Sequence, residues 1–166
     1  MAAAAAATKT GKIEFIVDQD RPAVTMKRRF DAPRRLVFEA MTRPEHVKRW
    51  YGLHGTTVPV CEIDLRPGGA YRIVNRDPQG NEYGFKGVYR EIDPPARVVY
   101  TWIFEPMPDK VSVVTDVYDE VDGKTTLTST TLFNSFEERD GFLATGATEG
   151  AIQTFDRLEE LLKTLV

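Results

Sequence analysis

From residue 57 to residue 133 the chain alternates stretches rich in β-branched and aromatic residues with short runs of turn-forming residues. The turns are rich in Pro, Gly, Asp and Asn and occupy residues 67–69, 77–81, 93–95, 105–109 and 122–123. The stretches between them cover residues 57–65, 70–76, 82–92, 97–104, 111–121 and 124–133. Links this short join antiparallel neighbours, so the pattern predicts a β-meander. With an N-terminal strand, the sheet should have about seven members.

The segment before the meander carries two kinds of signal. Apolar residues alternate with polar ones over 13–17 and again over 24–30, with a break at 18–21, which predicts either a strand pair or one interrupted strand. Asp31 and Pro33 then precede helically spaced apolar residues, which predicts a short helix over about 33–41. A second short helix, started by Pro44, should end at Gly52. Two short helices therefore follow the first strand.

The C-terminal segment predicts the longest helix of the chain. Residues 135–138 resemble a capping box that opens a short helix through Phe142, and a longer helix should run from about 147 to 163. At 100° per residue, an apolar stripe lies opposite a polar one. The apolar stripe consists of Ala151, Phe155, Leu158, Leu162 and Leu165, and the polar one of Glu149, Gln153, Asp156 and Glu160. A helix of about 25 Å could cross the whole sheet, which predicts an α+β fold.

Composition restricts the partners. The 166 residues suffice for one domain, expected over 11–166, with residues 1–10 as a disordered tail. A net charge of −3 without a strong basic cluster disfavours nucleic acid as a partner. The single cysteine, Cys61, cannot form an internal disulfide and is expected to be a buried, inert thiol. No apolar run reaches the roughly 20 residues of a membrane span, so we expect a cytoplasmic location.

Several motifs in fixed order carry a resemblance to a known family. They are Phe30-Asp31-Ala32-Pro33, Thr42-Arg43-Pro44-Glu45 leading to Trp50, Asp64 to Gly69, Gly87 to Pro95, Thr101-Trp102, and the segment from Gly146 to Leu162. With them the chain resembles the activator of heat-shock-protein-90 ATPase homologue family, within the START-like (SRPBCC, birch-pollen-allergen-type) superfamily. The resemblance implies a helix-grip fold, a curved antiparallel sheet wrapped on the long C-terminal helix. It also implies an elongated apolar cavity between that helix and the sheet, entered near the short helices.

Helical phase and strand alternation select the side chains that could line such a cavity. The candidates are Trp50, Tyr51, His54, Tyr83, Phe85, Tyr100, Trp102, Phe142, Thr148, Ala151, Ile152 and Phe155. Alternatively, the strand aromatics form ordinary core and Trp50 anchors the short helices. Family members often carry a bulky aromatic where this chain has Ala151, so the cavity is locally wider or a neighbouring aromatic fills the space.

The superfamily includes lipid carriers, hormone receptors, polyketide cyclases and resistance proteins, so the fold alone does not give the function. We expect binding of a small hydrophobic molecule, such as a lipid, an aromatic or a polyketide, without chemistry of the protein's own. The alternative is an enzyme of cyclase or hydrolase type that uses the same cavity. Its acid-base candidates are His54, Arg72, Tyr83 and Glu149, although Arg72 could simply pair with an acid on a neighbouring strand and Glu149 lies on the polar stripe.

Other functions have less support in the sequence. The two histidines are eight residues apart, and we find no nucleophile elbow, phosphate loop or metal-spaced His/Cys cluster, so no metal or cofactor is expected. A chaperone-associated interaction protein is a second alternative, because the family takes its name from co-chaperones. In those proteins the resembling domain is joined to another domain that makes much of the contact. Weak chaperone or self association remains a partner hypothesis.

Overall fold

A computed structural model describes residues 6–10 and 12–166, which form nine strands and four helices. The strands are β1 (Ala6–Thr10), β2 (Ile13–Val17), β3 (Ala23–Phe30), β4 (Thr57–Ile63), β5 (Ala70–Arg76), β6 (Glu82–Asp93), β7 (Arg97–Phe104), β8 (Ser112–Val121) and β9 (Lys124–Leu132). The helices are α1 (Arg34–Thr42), α2 (Pro44–Trp50), α3 (Phe136–Ala144) and α4 (Ala147–Leu165). The fold is thus α+β, as predicted, with a C-terminal helix as its longest.

The strands form one antiparallel sheet in the order β1-β2-β3-β9-β8-β7-β6-β5-β4. The six predicted stretches of the meander correspond to β4 through β9. The pairing of β6 with β7 shifts register between Tyr89 and Glu91 of β6, an irregularity of the kind that bends a strand locally.

The expected number of about seven strands is wrong because the N-terminal segment contributes three. The break at residues 18–21 is a turn that separates β2 from β3, and Asp18 Oδ1 accepts hydrogen bonds there from the backbone N–H groups of Asp20 and Arg21. Ala6–Thr10 then pairs with the free edge of β2, where backbone groups would otherwise lack partners. This strand corrects the expectation of a disordered tail over 6–10, whereas residues 1–5 lie outside the described residues. The two short helices consequently follow the third strand rather than the first.

The two short helices are joined to each other by a buried side chain. Pro44 occupies the first turn of α2, where its missing N–H costs nothing. The indole Nε1–H of Trp50, at the end of α2, donates to the carbonyl oxygen of Ala40 in α1 at 2.8 Å. The anchoring role considered for Trp50 is therefore present. On the N-terminal side, Pro33 rather than Asp31 is the residue that flanks α1.

The C-terminal helices follow their sequence signals closely. Ser135 caps α3, since its Oγ accepts the backbone N–H of Glu138 at 3.0 Å. Gly146, with a φ of 82°, directly precedes α4. Of the predicted apolar stripe of α4, Leu158 and Leu162 are buried in the main core, and Leu161 joins them.

A buried guanidinium ties the sheet to α4. Arg28 on β3 is 1 % exposed, and its Nη1 lies 2.8 Å from Asp156 Oδ1. Its Nη2 lies 3.4 Å from Glu159 Oε2, and Lys12 Nζ approaches the same carboxylate at 2.8 Å. The Arg28 Nε–H is buried and has no hydrogen-bond partner among the described residues. The polar side of α4 is therefore held to the sheet by charge.

Removing the two acids of this cluster should lower the free energy of unfolding more than removing the arginine does. In the double variant Asp156→Asn/Glu159→Gln a buried guanidinium loses both acids, and we expect the free energy of unfolding to fall by about 3 kcal/mol or more. In Arg28→Met the Asp156 side chain, which is 47 % exposed, can reach water and Glu159 keeps Lys12 as a partner, so the loss should be about 1 kcal/mol. Urea denaturation at pH 7 measures both, and equal losses would contradict this account.

Candidate functional site

A partly open cavity of about 100 Å³ lies between the two short helices and the concave face of the sheet. Its walls come from α1, α2, the residue after α2 and strands β4 to β8. The lining residues are Met41, Thr42, Val47, Trp50, Tyr51, Ile63, Tyr71, Ile73, Tyr89, Val98, Tyr100, Trp102, Asp116 and Tyr118. No residue of α4 lines this cavity, so its position differs from the expected one between the long helix and the sheet. The reason is that α1 and α2, rather than α4, cover this part of the sheet.

Strand alternation places the tyrosines of the wall. Tyr71, Tyr89 and Tyr100 come from three adjacent strands and point to the same face. Their ring centroids are 5.5–6.1 Å apart, and the Tyr71 and Tyr100 rings meet edge to face at 87°. The Tyr71 hydroxyl donates to the Thr101 carbonyl oxygen at 2.7 Å. Because the rings interlock, the wall is rigid and aromatic.

One carboxylate is buried in this aromatic wall. Asp116 on β8 is 3 % exposed, and its Oδ2 accepts a hydrogen bond from the Tyr100 hydroxyl at 3.2 Å. Its Oδ1 is also buried but has no hydrogen-bond partner among the described residues. Burial raises the pKa of Asp116 to about 6, although the nearby hydroxyls of Ser129 and Tyr100 favour the charged form. No Lys, Arg or His is among the lining residues, so the Asp116 charge is uncompensated within the wall.

The tyrosine hydroxyls stay neutral at physiological pH. Burial raises the pKa of Tyr51 to about 12 and moves the pKa values of Tyr71, Tyr89, Tyr100 and Tyr118 further above the usual 10. The side chain that titrates near neutrality in the lining is therefore Asp116. The wall offers hydroxyl groups, aromatic faces and one acid.

Helices α1 and α2 and the segment 51–56 form the cover of the cavity. Hydrogen bonds from two sides hold this cover in place at the end of α2. From α4, Arg157 Nη1 donates to the Leu53 carbonyl oxygen at 2.9 Å and lies 3.2–3.4 Å from those of Gly52 and Tyr51. From β5, the buried Asn75 Nδ2 lies 3.1 Å from the Tyr51 carbonyl oxygen. Gly52 has a φ of 101°, and a Cβ atom there would collide with the Asn75 side chain. The segment from 51 to 56 is therefore held in place by α4 and the sheet together.

Four of the twelve predicted cavity residues line this cavity: Trp50, Tyr51, Tyr100 and Trp102. Phe85 and Phe142 lie one layer behind, because Phe85 stacks on Trp102 at 5.5 Å and Phe142 meets the same ring edge-on at 5.9 Å. Phe155 of α4 packs against Trp50, with ring centroids 6.0 Å apart.

The other five predicted residues lie elsewhere. Thr148, Ala151 and Ile152 are half-buried on α4 and do not line the cavity. His54 is exposed in an open polar groove beside Arg157, and Tyr83 is exposed with its hydroxyl 3.3 Å from Asp77 Oδ2.

None of the acid-base candidates from the sequence reaches the cavity. Besides the exposed His54 and Tyr83, Arg72 pairs with Glu105 at 2.8 Å on the outer side of the sheet, which is the alternative considered for it. Glu149 is exposed and contacts Gln153. Cys61 is half-buried rather than fully buried, and burial raises its pKa to about 11, so the thiol is protonated at neutral pH.

The sequence interpretation missed Asp116 and the tyrosines at 71, 89 and 118. A signal for Asp116 existed, because Val114, Asp116 and Tyr118 alternate with half-buried residues along β8. An acid between two inward-facing apolar residues is unusual and marks a buried polar site.

A curved antiparallel sheet with a small cavity closed by helices defines the START-like class of domains. The chain belongs to the family described as Activator of Hsp90 ATPase homolog 1-like protein, whose sequence model matches residues 31–163. The resemblance inferred from the motifs is thereby confirmed. Members of this family generally bind hydrophobic ligands. No curated protein matches the sequence significantly.

Several solved structures are similar to this chain. A crystal structure of a protein from Nitrosomonas europaea is 28 % identical with a TM-score of 0.75, covering 86 % of this chain and 94 % of its own. A solution structure from Staphylococcus epidermidis is 26 % identical with a TM-score of 0.77, covering 90 % and 94 %. A crystal structure from Rhodobacter sphaeroides has a TM-score of 0.81 at 20 % identity, covers 96 % and 99 %, and supports the fold alone.

Two kinds of feature are absent from the described residues. None of their helices combines the length and the apolar character needed to cross a membrane. No group of three or more His, Cys, Asp or Glu side chains in the same part of the chain is arranged to hold a metal ion.

The buried acid should make stability depend on pH. Folding raises the pKa of Asp116 from 3.8 to about 6, so the folded protein binds more protons than the unfolded chain between these values. This stabilising contribution is complete below about pH 4 and is lost as the pH rises through about 6. Asp116→Asn should therefore raise the free energy of unfolding by up to about 3 kcal/mol at pH 7.5 and have little effect at pH 4. Urea titrations at both pH values test this, with exposed Asp119→Asn as the control; a difference that does not vary with pH would contradict it.

The hydrogen bonds that Asn75 makes to the cover can be tested separately. Asn75→Ala removes the amide that serves Tyr51, Thr56 and Thr57, and we expect it to cost about 2 kcal/mol of stability. Hydrogen exchange should accelerate most in residues 50–57. Gln79→Ala, at an exposed turn, is the control, and uniform acceleration over the whole sheet would show that Asn75 does not act on the cover specifically.

Proposed function

We propose that this protein binds a small, mainly apolar molecule that carries one hydrogen-bond donor, in the cavity beneath α1 and α2. The observation that carries the proposal is the carboxylate of Asp116, whose Oδ1 atom is buried and has no hydrogen-bond partner among the described residues, in a wall that is mostly apolar and aromatic. Leaving such an acceptor unpaired is costly, and a donor on a bound molecule would remove that cost. Apolar burial would supply most of the affinity and Asp116 the orientation.

The cavity volume limits the size of the ligand. An engineered apolar cavity of about 150 Å³ is known to hold benzene, so about 100 Å³ corresponds to roughly four to six non-hydrogen atoms. The lipid-sized and polyketide-sized ligands expected from the resemblance exceed this volume in the closed structure. They would require α1, α2 and the 51–56 segment to move away from the sheet.

One observation favours a second candidate function, acid-base catalysis on the same bound molecule. A carboxyl group with a pKa of about 6 that receives a hydrogen bond from Tyr100 can exchange a proton near neutral pH. In this account Asp116 is the acid-base group, in place of the four candidates from the sequence. Product analysis separates the two functions, because a binding protein releases its ligand unchanged.

Binding can be tested with small alcohols of matching size. For tert-butanol and cyclopentanol, burial of about five carbon-sized groups predicts a dissociation constant near 1 mM. In a ¹H–¹⁵N NMR titration, saturable shifts should centre on Trp50, Tyr100, Trp102 and Asp116, together with both indole N–H signals. Ile73→Phe, which fills the cavity, should abolish saturation.

Val88→Phe adds a similar ring at an exposed position of the same sheet and serves as the matched control for Ile73→Phe. It should bind the alcohols like the unmodified protein. Shifts that grow linearly without saturating, or that centre outside the cavity, would refute the proposed function.

A further inference from the structure

We infer that the cavity selects a small organic cation, an alkylammonium group, over a neutral molecule of the same shape. This inference rests on the proposed function and makes it more specific. Three features of the cavity wall favour a positively charged ligand: its aromatic surface, the acid within it, and the absence of basic residues from its lining.

The aromatic surface surrounds the cavity from several directions. Half of the lining residues are aromatic: Trp50, Tyr51, Tyr71, Tyr89, Tyr100, Trp102 and Tyr118. They come from α2, the segment after it and four strands, and their planes meet at steep angles, such as 87° between Tyr71 and Tyr100. The face of an aromatic ring carries negative potential, and rings arranged around a space form a cage that attracts ammonium groups. Leu or Ile side chains would bury a neutral ligand equally well without this property.

The charged groups in the wall also favour a cation. Asp116 places one acid at the cavity, and none of the fourteen lining residues is a Lys, Arg or His. Arg157, the arginine that holds the cover, does not pair with Asp116. It donates to the backbone carbonyl oxygens of Arg49, Tyr51, Gly52 and Leu53. A neutral alcohol could satisfy the Oδ1 atom but not the negative charge. An ammonium N–H would satisfy both, with the alkyl part against the aromatic rings.

The geometry also disfavours an inorganic cation as the intended occupant. Hard metal ions require several oxygen ligands, commonly six or more for calcium and magnesium. Here one carboxylate is surrounded mostly by carbon atoms, and the Tyr71 hydroxyl already donates to the backbone. Such a wall can surround the carbon-bearing surface of an alkylammonium ion but cannot replace the hydration shell of a metal ion.

Two probes of nearly identical shape test the inference. The tert-butylammonium ion and tert-butanol have the same number of non-hydrogen atoms, and both donate hydrogen bonds, but only one is charged. Titrations of the unmodified protein at pH 7.5 and constant ionic strength, followed by NMR and calorimetry, give both dissociation constants. We expect the ammonium ion to bind at least about tenfold more tightly. This comparison requires no variant to fold.

Two variants identify the source of the preference. Asp116→Asn keeps the shape of the side chain but removes its charge, and it should reduce the preference for the ammonium ion over tert-butanol to about threefold or less. Asp119→Asn removes an identical charge from an exposed position on the same strand and should keep the full preference. If both variants reduced it equally, the preference would come from net charge, and the inference would be wrong.

The remaining outcomes separate the two proposals. Equal or tighter binding of tert-butanol to the unmodified protein would overturn the cation inference and leave the proposed function intact. Saturation by neither probe would overturn both. Displacement of the ammonium ion by equimolar KCl would show a nonspecific cation site and would also overturn the inference.

Discussion

The concave face of the sheet is wider than one helix can cover. The rest of the structure depends on how that face is divided between α4 and the two short helices. Helix α4 packs over one part through Leu158 and Leu162 and is fixed by the buried Arg28. Helices α1 and α2 cover the other part, where Phe38 meets Tyr118 edge-on at 5.4 Å. Short helices joined by a bend cannot follow a curved sheet everywhere, and close packing fails where they bridge it. The cavity lies at that place.

Asp116 is an unusual residue for the wall of such a cavity. A Val or Leu at this position would fill part of the cavity and avoid burying an acid, so on stability alone Asp116 is a poor choice. Residues that break the local rules of folding without a compensating contact are concentrated at functional sites. The Tyr100 hydroxyl donates to one carboxylate oxygen, whereas the other is buried and has no hydrogen-bond partner among the described residues. The residue that lowers stability is thus the same one on which the proposed binding depends.

The sequence predicted much of the frame because its signals are local. Turn residues separate β4 to β9, Pro44 starts α2, Ser135 caps α3, and the apolar stripe marks α4. The number of strands was wrong because β1 has no strong pattern of its own and pairs only with an edge that tertiary structure provides. The cavity was misplaced for a related reason: helical phase shows which side of α4 faces inward, but not which helix covers which strands. Tyr100 was found from the alternation of aromatic residues along its strand, whereas the same alternation along β8 was not applied to the charged residue Asp116.

The segment over the cavity and the long helix are linked by direct contacts, which bears on how a large molecule could enter the cavity. Trp50 lines the cavity, donates to Ala40 in α1 and packs on Phe155 of α4. The carbonyl groups that follow it are held by Arg157 of α4 and by Asn75 of the sheet. Moving the 51–56 segment outward would break these hydrogen bonds but would leave the apolar core around Leu158 and Leu162 intact. The hydrogen bonds from Arg157 and Asn75 are weaker than the packing of the apolar core. Local opening at the end of α2 therefore costs less free energy than separating α4 from the sheet. Opening next to Trp50 would therefore leave the rest of the fold intact.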